Sequence, residues 1–574
     1  MPNMRPFLIV AILVTLYFLW EAWQRDYAPQ PTTTPAASAS VDGPAASSGG
    51  DTPALPAVED DAAVPMAPSA TAAASADAPA VAATVESASR RITVETDTLR
   101  VVIDTQGGSV VSASLLGFPL DPKTPDVVVH LMDDAADEFF VAQSGLVGAA
   151  GGLSAPDHRA VFAAENDRYT LEAGRDTLEV PLVWSGADGL TVTRTLTFTR
   201  GSHAIGQRTL VSNAAATPWT GSEYRQLQRL KPASAGGYSF TNPEQYAFMG
   251  ASWFSPENRF EKLKFDNFSS EPLNRTFAGG WGAMQQHYFF AAWLPPAAEL
   301  TQYSTAVLEG QGVPRYLIRL MSPTLTVAPG ESATFESRLY VGPKLQKQLR
   351  DVADGLIYTV DYGMVTFIAA PLFWVLEKLH KLVGNWGVAI ILLTILVKAL
   401  FFKLTEAQYR SFARMRKVAP RLQALKERYG DDRQKLNQAM MELYQKEKIN
   451  PLGGCLPILV QMPVFIALYW VLLESVELRQ AVFIPGWIDN LSVRDPFFIL
   501  PVLNGIAMFV SQKLTPTAGM DPMQARMLQM MPVIFAVMFA FFPAGLVLYW
   551  TVNSVLSLAQ QWYITRKIEA GEKA

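Results

Sequence analysis

Lys398 is the residue whose placement most needs a chemical explanation. It lies in Ile395-Leu396-Val397-Lys398-Ala399-Leu400, within an apolar stretch that begins at Trp386, and Lys403 follows it. At about 1.5 Å of rise per residue it sits about 7–8 Å inside the end of a helix. No other formal charge lies as deep in such a stretch. A charge held there either marks a function or snorkels to the nearer surface along its own apolar stem. Polar company is at hand. Thr394 is one turn earlier on the same face, Gln461 lies in a second apolar stretch, and Asn553 with Ser554 lie in the last one. No Asp or Glu occurs mid-stretch to neutralise the lysine, and Glu474 and Glu477 fall at the far end. A cation persists in such surroundings only where water or polar groups reach it. The pattern therefore calls for a hydrated recess between helices, although each polar residue alone would serve equally as interhelical glue.

Other chemistry is absent. The five histidines, at 130, 158, 203, 287 and 380, are scattered and never take a His-Glu-x-x-His spacing. There is no Gly-rich phosphate loop and no Gly-x-Ser-x-Gly elbow. Cys455 is the single cysteine, which excludes an intramolecular disulfide framework and a multi-thiolate metal site. We therefore assign no catalytic residue, no metal site and no cofactor. Met520, Met523, Met527, Met530 and Met531 form a methionine-rich stretch. Such side chains suit either varied apolar partners or ordinary packing.

The elements that must position these residues fall into two blocks. The 574-residue chain carries a formal charge of −5, which hides −13 between Gln24 and Asp361 and +8 elsewhere. Phe7 to Trp20 is apolar except for Thr15, with Tyr17, Trp20 and Trp23 where a cleavage site would need small residues. Residues 1–27 read as a retained membrane anchor, with a cleaved signal as the alternative. Residues 28–90 are rich in Ala, Pro and Ser and read as a disordered linker. From 91 to 343 the pattern has period two, as in Thr191-Val192-Thr193-Arg194-Thr195-Leu196-Thr197-Phe198, and turn residues such as Gly236-Gly237 punctuate it. That predicts a large all-β domain of sandwich type.

Beyond it, apolar stretches run Trp386–Phe402, Leu456–Leu473, Phe497–Val510, Met527–Phe542 and Ala544–Trp562. With the anchor they predict six membrane spans, with later spans at 384–404, 451–474 and 496–513 and two more within 527–564. Residues 405–450 hold 11 Lys and Arg against 6 Asp and Glu, which predicts a cytoplasmic helical hairpin. The segment 514–526 and the tail 565–574 fall on that same side, and the loop 475–495 and the β domain fall outside. Residues 344–383 connect the two blocks. Calling the stretch after Asp361 a span would invert the basic hairpin, so it reads as an amphipathic surface helix broken near Pro371.

Longer motifs then become recognisable. Asn450-Pro451-Leu452-Gly453-Gly454-Cys455-Leu456-Pro457, Gln461-Met462-Pro463, Asp521-Pro522-Met523-Gln524 and Gly545-Leu546-Val547-Leu548-Tyr549 resemble the YidC/Oxa/Alb family of membrane-protein insertases. The anchor, linker and β domain resemble its Gram-negative form, whose periplasmic domain is a β-supersandwich. The resemblance implies an inner-membrane protein, with both termini cytoplasmic, that inserts and helps fold membrane proteins. It implies nascent membrane proteins as clients, together with the Sec translocase including SecD and SecF. The ribosome, met through the hairpin and basic tail, and membrane lipid complete the implied partners. Lys398 takes the place where the family usually carries an arginine facing a hydrophilic groove. Thr394, Gln461, Asn553 and Ser554 then line that groove, and Met462, Phe465, Tyr549 and Trp550 meet the client helix. From chemistry alone the rival is a solute or ion transporter, which would ordinarily carry mid-span carboxylates.

Overall fold

The computed structural model describes residues 89–150, 152–232, 247–309, 313–430, 432–447, 456–514 and 522–571, all within the compact unit Val58–Ala574. The expected anchor, all but the last two residues of the expected linker, Gly236-Gly237 and Asn450–Cys455 lie outside the described residues.

Among the described residues Arg91–Pro343 folds into an eleven-stranded and a nine-stranded sheet, almost wholly antiparallel. Alternation explains the strands that face one core. Leu190–Thr199 buries every second residue between Thr177–Ser185 and Ala204–Asn213. Trp219–Leu230 breaks that rule, since it is buried almost throughout despite carrying Glu223, Arg225, Gln226, Gln228 and Arg229. It runs between Phe140–Gly148 and Arg315–Met321, so neither edge is free. The two sheets share a core that includes Ile92, Val101, Val192, Leu196 and Trp293. Polar contacts join them too: Glu223 of one sheet accepts from Gln207 and Thr209 of the other, at 3.2 and 2.7 Å.

Nine α-helices follow among the described residues: α1 Gln346–Val352, α2 Thr366–Val383, α3 Trp386–Leu400, α4 Phe402–Tyr429, α5 Arg433–Lys446, α6 Leu456–Glu474, α7 Ile499–Lys513, α8 Pro522–Phe539 and α9 Ala544–Gly571. The turn from α2 to α3 is written in two residues. Gly384 takes φ 69° and donates its N–H to the His380 carbonyl, and Asn385 accepts from the Val388 N–H. The expected break at Pro371 is not there; α2 runs through it. Proline removes one backbone bond near the helix start, and the buried face Ala369, Phe373 and Leu376 holds the helix against α3 and α6. Its other face exposes Phe367, Trp374 and Leu382, which gives the amphipathic character expected of it.

Among the described residues no single helix is long and apolar enough to cross a membrane. Trp386–Leu400 and Phe402–Arg410 meet that standard together, bent by 62°. α4 and α5 pack on one another around Gly430, with Arg421 paired to Glu447 at 2.6 Å. The β domain is bolted to the end of α6. His287 meets the Leu473 carbonyl at 3.0 Å, the Gln346 N–H donates to Glu477 at 2.9 Å, and Arg479 donates to the Pro119 carbonyl at 2.9 Å.

Candidate functional site around Lys398

Lys398 is placed by α3, whose apolar faces pack on α2 and α9 and leave the lysine only 7% exposed. Its ammonium donates to the Ser557 hydroxyl of α9 at 2.6 Å. That hydroxyl in turn donates to the Asn553 carbonyl one turn earlier, at 2.7 Å. The Asn553 side-chain oxygen accepts from Gln461 of α6 at 2.6 Å. Tyr409 of α4 donates to the Ser557 carbonyl at 3.1 Å. Four helices thus converge through one turn of α9, and among the described residues no carboxylate pairs with the lysine.

Of the five polar residues expected to share a site, Lys398, Gln461 and Asn553 are brought together. Thr394 is buried and its hydroxyl donates to Ile390 of its own helix at 2.7 Å. Ser554 faces another way, donating to Asn504 of α7 at 2.8 Å. One helical step of about 100° separates it from Asn553. It belongs to a polar seam between α7 and α9 that continues in Ser511–Gln561 at 3.0 Å. Sequence reasoning passes over Ser557, Asn504 and Tyr409. Ser557 stands at i+4 from Asn553, and that spacing is the available signal.

The four apolar residues expected to meet a client helix also divide. Met462 is 41% exposed, whereas Tyr549 is 1% exposed and sits in the interior. Phe465 and Trp550 are half-buried and stack with ring centroids 4.4 Å apart. In the methionine-rich stretch Met527, Met530 and Met531 are exposed, and nothing is described for the side chains of Met520 and Met523.

Comparison with known proteins gives this arrangement its class. Residues 378–572 match the family described as 60Kd inner membrane protein, and residues 91–375 match the YidC periplasmic domain. The chain is 49% identical, over all of both chains, to the membrane protein insertase YidC of Thioalkalivibrio sulfidiphilus. It is 47% identical over 99% of each chain to that of Nitrosococcus oceani. A crystal structure of active YidC insertase with its first transmembrane domain resolved is similar at 18% identity and a TM-score of 0.37, covering 83% of this chain and 93% of that one. The class is that of inner-membrane proteins with a periplasmic β domain. The chain belongs to the YidC family.

Proposed function

We propose that this protein inserts membrane proteins into the bacterial inner membrane and helps them fold. Lys398 is the attracting charge of a hydrophilic groove. One observation carries the reading: a cation inside an apolar helix bundle is held by a hydroxyl, with amide groups behind it and, among the described residues, no counter-ion. A structural ion would ordinarily be neutralised, whereas an uncompensated one is available to an incoming carboxylate. In this reading the helical core contributes five spans and the anchor a sixth, with both termini cytoplasmic and the β domain periplasmic. Gln461 and Asn553 supply the polar lining beside Lys398.

The physical sequence of events is short. An acidic hydrophilic segment of the client leaves water for the recess, drawn by Lys398. Its apolar helix then passes Met462, Phe465, Tyr549 and Trp550 into lipid, releasing about 25 cal/mol per Å² of apolar surface buried. Downhill partitioning supplies the drive, so no nucleotide and no bond-making step is called for. The basic α4–α5 hairpin and tail would receive ribosome or client on the inner side. The Sec translocase, with SecD and SecF, would act beside the core, and lipid would meet the exposed faces of α7 and α8.

Charge reversal tests this. A carboxylate 4 Å from the ammonium gains about 4 kcal/mol at an effective dielectric of about 20, and Lys398→Glu turns that attraction into repulsion. Insertion of a client with an acidic translocated segment into proteoliposomes should fall at least about tenfold, while a matched neutral client should change less than about twofold. Equal loss for both clients would refute the attraction.

A further inference from the structure

We propose that Ser557 is a positioning residue for the insertion reaction: its hydroxyl holds the Lys398 ammonium at the α9 wall of the groove. The proposal deepens, and rests on, the reading of Lys398 as the groove charge. Its basis is the direction of each hydrogen bond. A hydroxyl has one proton and two acceptor sites. The Ser557 proton is spent on the Asn553 carbonyl at 2.7 Å, so only lone pairs face the lysine. An ammonium has three donors and no acceptor, and the 2.6 Å contact is therefore matched in polarity to the charged form.

The hydroxyl is itself held from two sides. Tyr409 fixes the Ser557 carbonyl from α4, just beyond the 62° bend after α3. Gln461 fixes Asn553 from α6, one turn away. With those supports in place, the lysine stem is directed to α9 instead of snorkelling toward the inner surface. One N–H is committed to Ser557. Among the described residues the other two have no protein partner, which leaves them for a client carboxylate. Without the hydroxyl the stem regains its rotamer freedom, and the charge is no longer presented at one place.

The test compares Ser557→Ala, Ser557→Thr and Lys398→Ala in the full-length chain, reconstituted in proteoliposomes of one lipid composition. Each is given two matched clients whose translocated segments are acidic or neutral. Ser557→Ala should lower insertion of the acidic client about tenfold and of the neutral client less than about twofold. Ser557→Thr, which keeps the hydroxyl and can form the same bond to the carbonyl four residues back, should stay within about twofold of the parent for both. Selective loss in Lys398→Ala with none in Ser557→Ala would overturn the role of Ser557. Loss of both clients alike in Ser557→Ala would also overturn it, since that is the signature of a packing defect. Should Lys398→Ala treat both clients alike, the reading of Lys398 itself would fail.

Discussion

Replacing Arg225 by methionine should destabilise the β domain more than the loss of any surface ion pair. Arg225 is fully buried in the strand Trp219–Leu230 and serves two carboxylates. Its Nε donates to Glu223 at 2.7 Å, one Nη donates to Glu299 at 2.7 Å, and the other Nη also reaches the Glu336 carbonyl at 3.2 Å. The two acids differ in their escape routes. Glu299 has a side chain 14% exposed and can recover water, whereas Glu223 is 1% exposed and cannot. Gln207 and Thr209 still donate to Glu223, yet neither carries charge. Breaking a buried pair from one side costs about 3–5 kcal/mol, and most of that should arise at Glu223. Methionine fills similar volume, so the cavity contribution is small. The assay is pulse proteolysis of the full-length chain in rising urea, following the β-domain fragment. Adding Glu223→Gln to the Arg225→Met chain should restore more than half of the deficit. A deficit below about 1 kcal/mol, or one indifferent to Glu223→Gln, would show that the charges are not the source.

Two further outcomes concern the helical core. Gly387 lies in the first turn of α3, where an added Cβ would stand 2.0 Å from the Phe483 ring. Gly387→Ala should cost about 1–3 kcal/mol through overpacking, and in the first turn little of that is regained as helix propensity. Thermal half-life in detergent should drop, and in a Phe483→Ala background the same Gly387→Ala change should shorten it much less. A single variant as durable as the parent would refute the close approach. At the junction with the β domain, burial pushes the Glu477 carboxyl up to about 7, only partly offset by the Gln346 N–H that donates to it. The folded state then holds a proton that the unfolded state releases, so this contribution is complete below about pH 4.5 and lost as pH rises through about 7. The difference is at most about 3 kcal/mol. His287, pushed down to about 3 by burial, adds the opposite slope between about 3 and 6.5. Comparing the parent with Glu477→Gln isolates the carboxyl. With the intrinsic exchange rates divided out, protection across Gln346–Val352 should fall less between about pH 4.5 and 7 in the variant than in the parent, the His287 slope remaining in both, and an identical profile would sink the assignment.

Much of this protein is legible from local pattern. The alternation in Leu190–Thr199 produces a strand because period two puts every apolar side chain on one face. Gly384-Asn385 marks the α2–α3 turn because one residue tolerates positive φ and the next caps a helix. Lys398 stands out because a charge in an apolar stretch needs a reason wherever it ends up. Pattern misleads where packing outweighs it. Pro371 reads as a break, yet tertiary contacts carry α2 through. Trp219–Leu230 carries charged and amide residues, yet it is buried almost throughout, because Glu223, Arg225 and Gln226 find polar partners inside the β domain. Tyr549, a client contact by resemblance, is buried in the closed bundle, a burial that no local pattern announces.

The sequence by itself determined the classes of element, the division into an acidic β block and a basic helical block, and the isolated lysine, because composition and periodicity act within a few residues. Only the tertiary structure decided what that lysine touches. Ser557 lies 159 residues away on another helix, and its meeting with Lys398 depends on how α3, α4, α6 and α9 cross. A hydrogen bond is set by tenths of an ångström between elements, and no spacing along one chain encodes that.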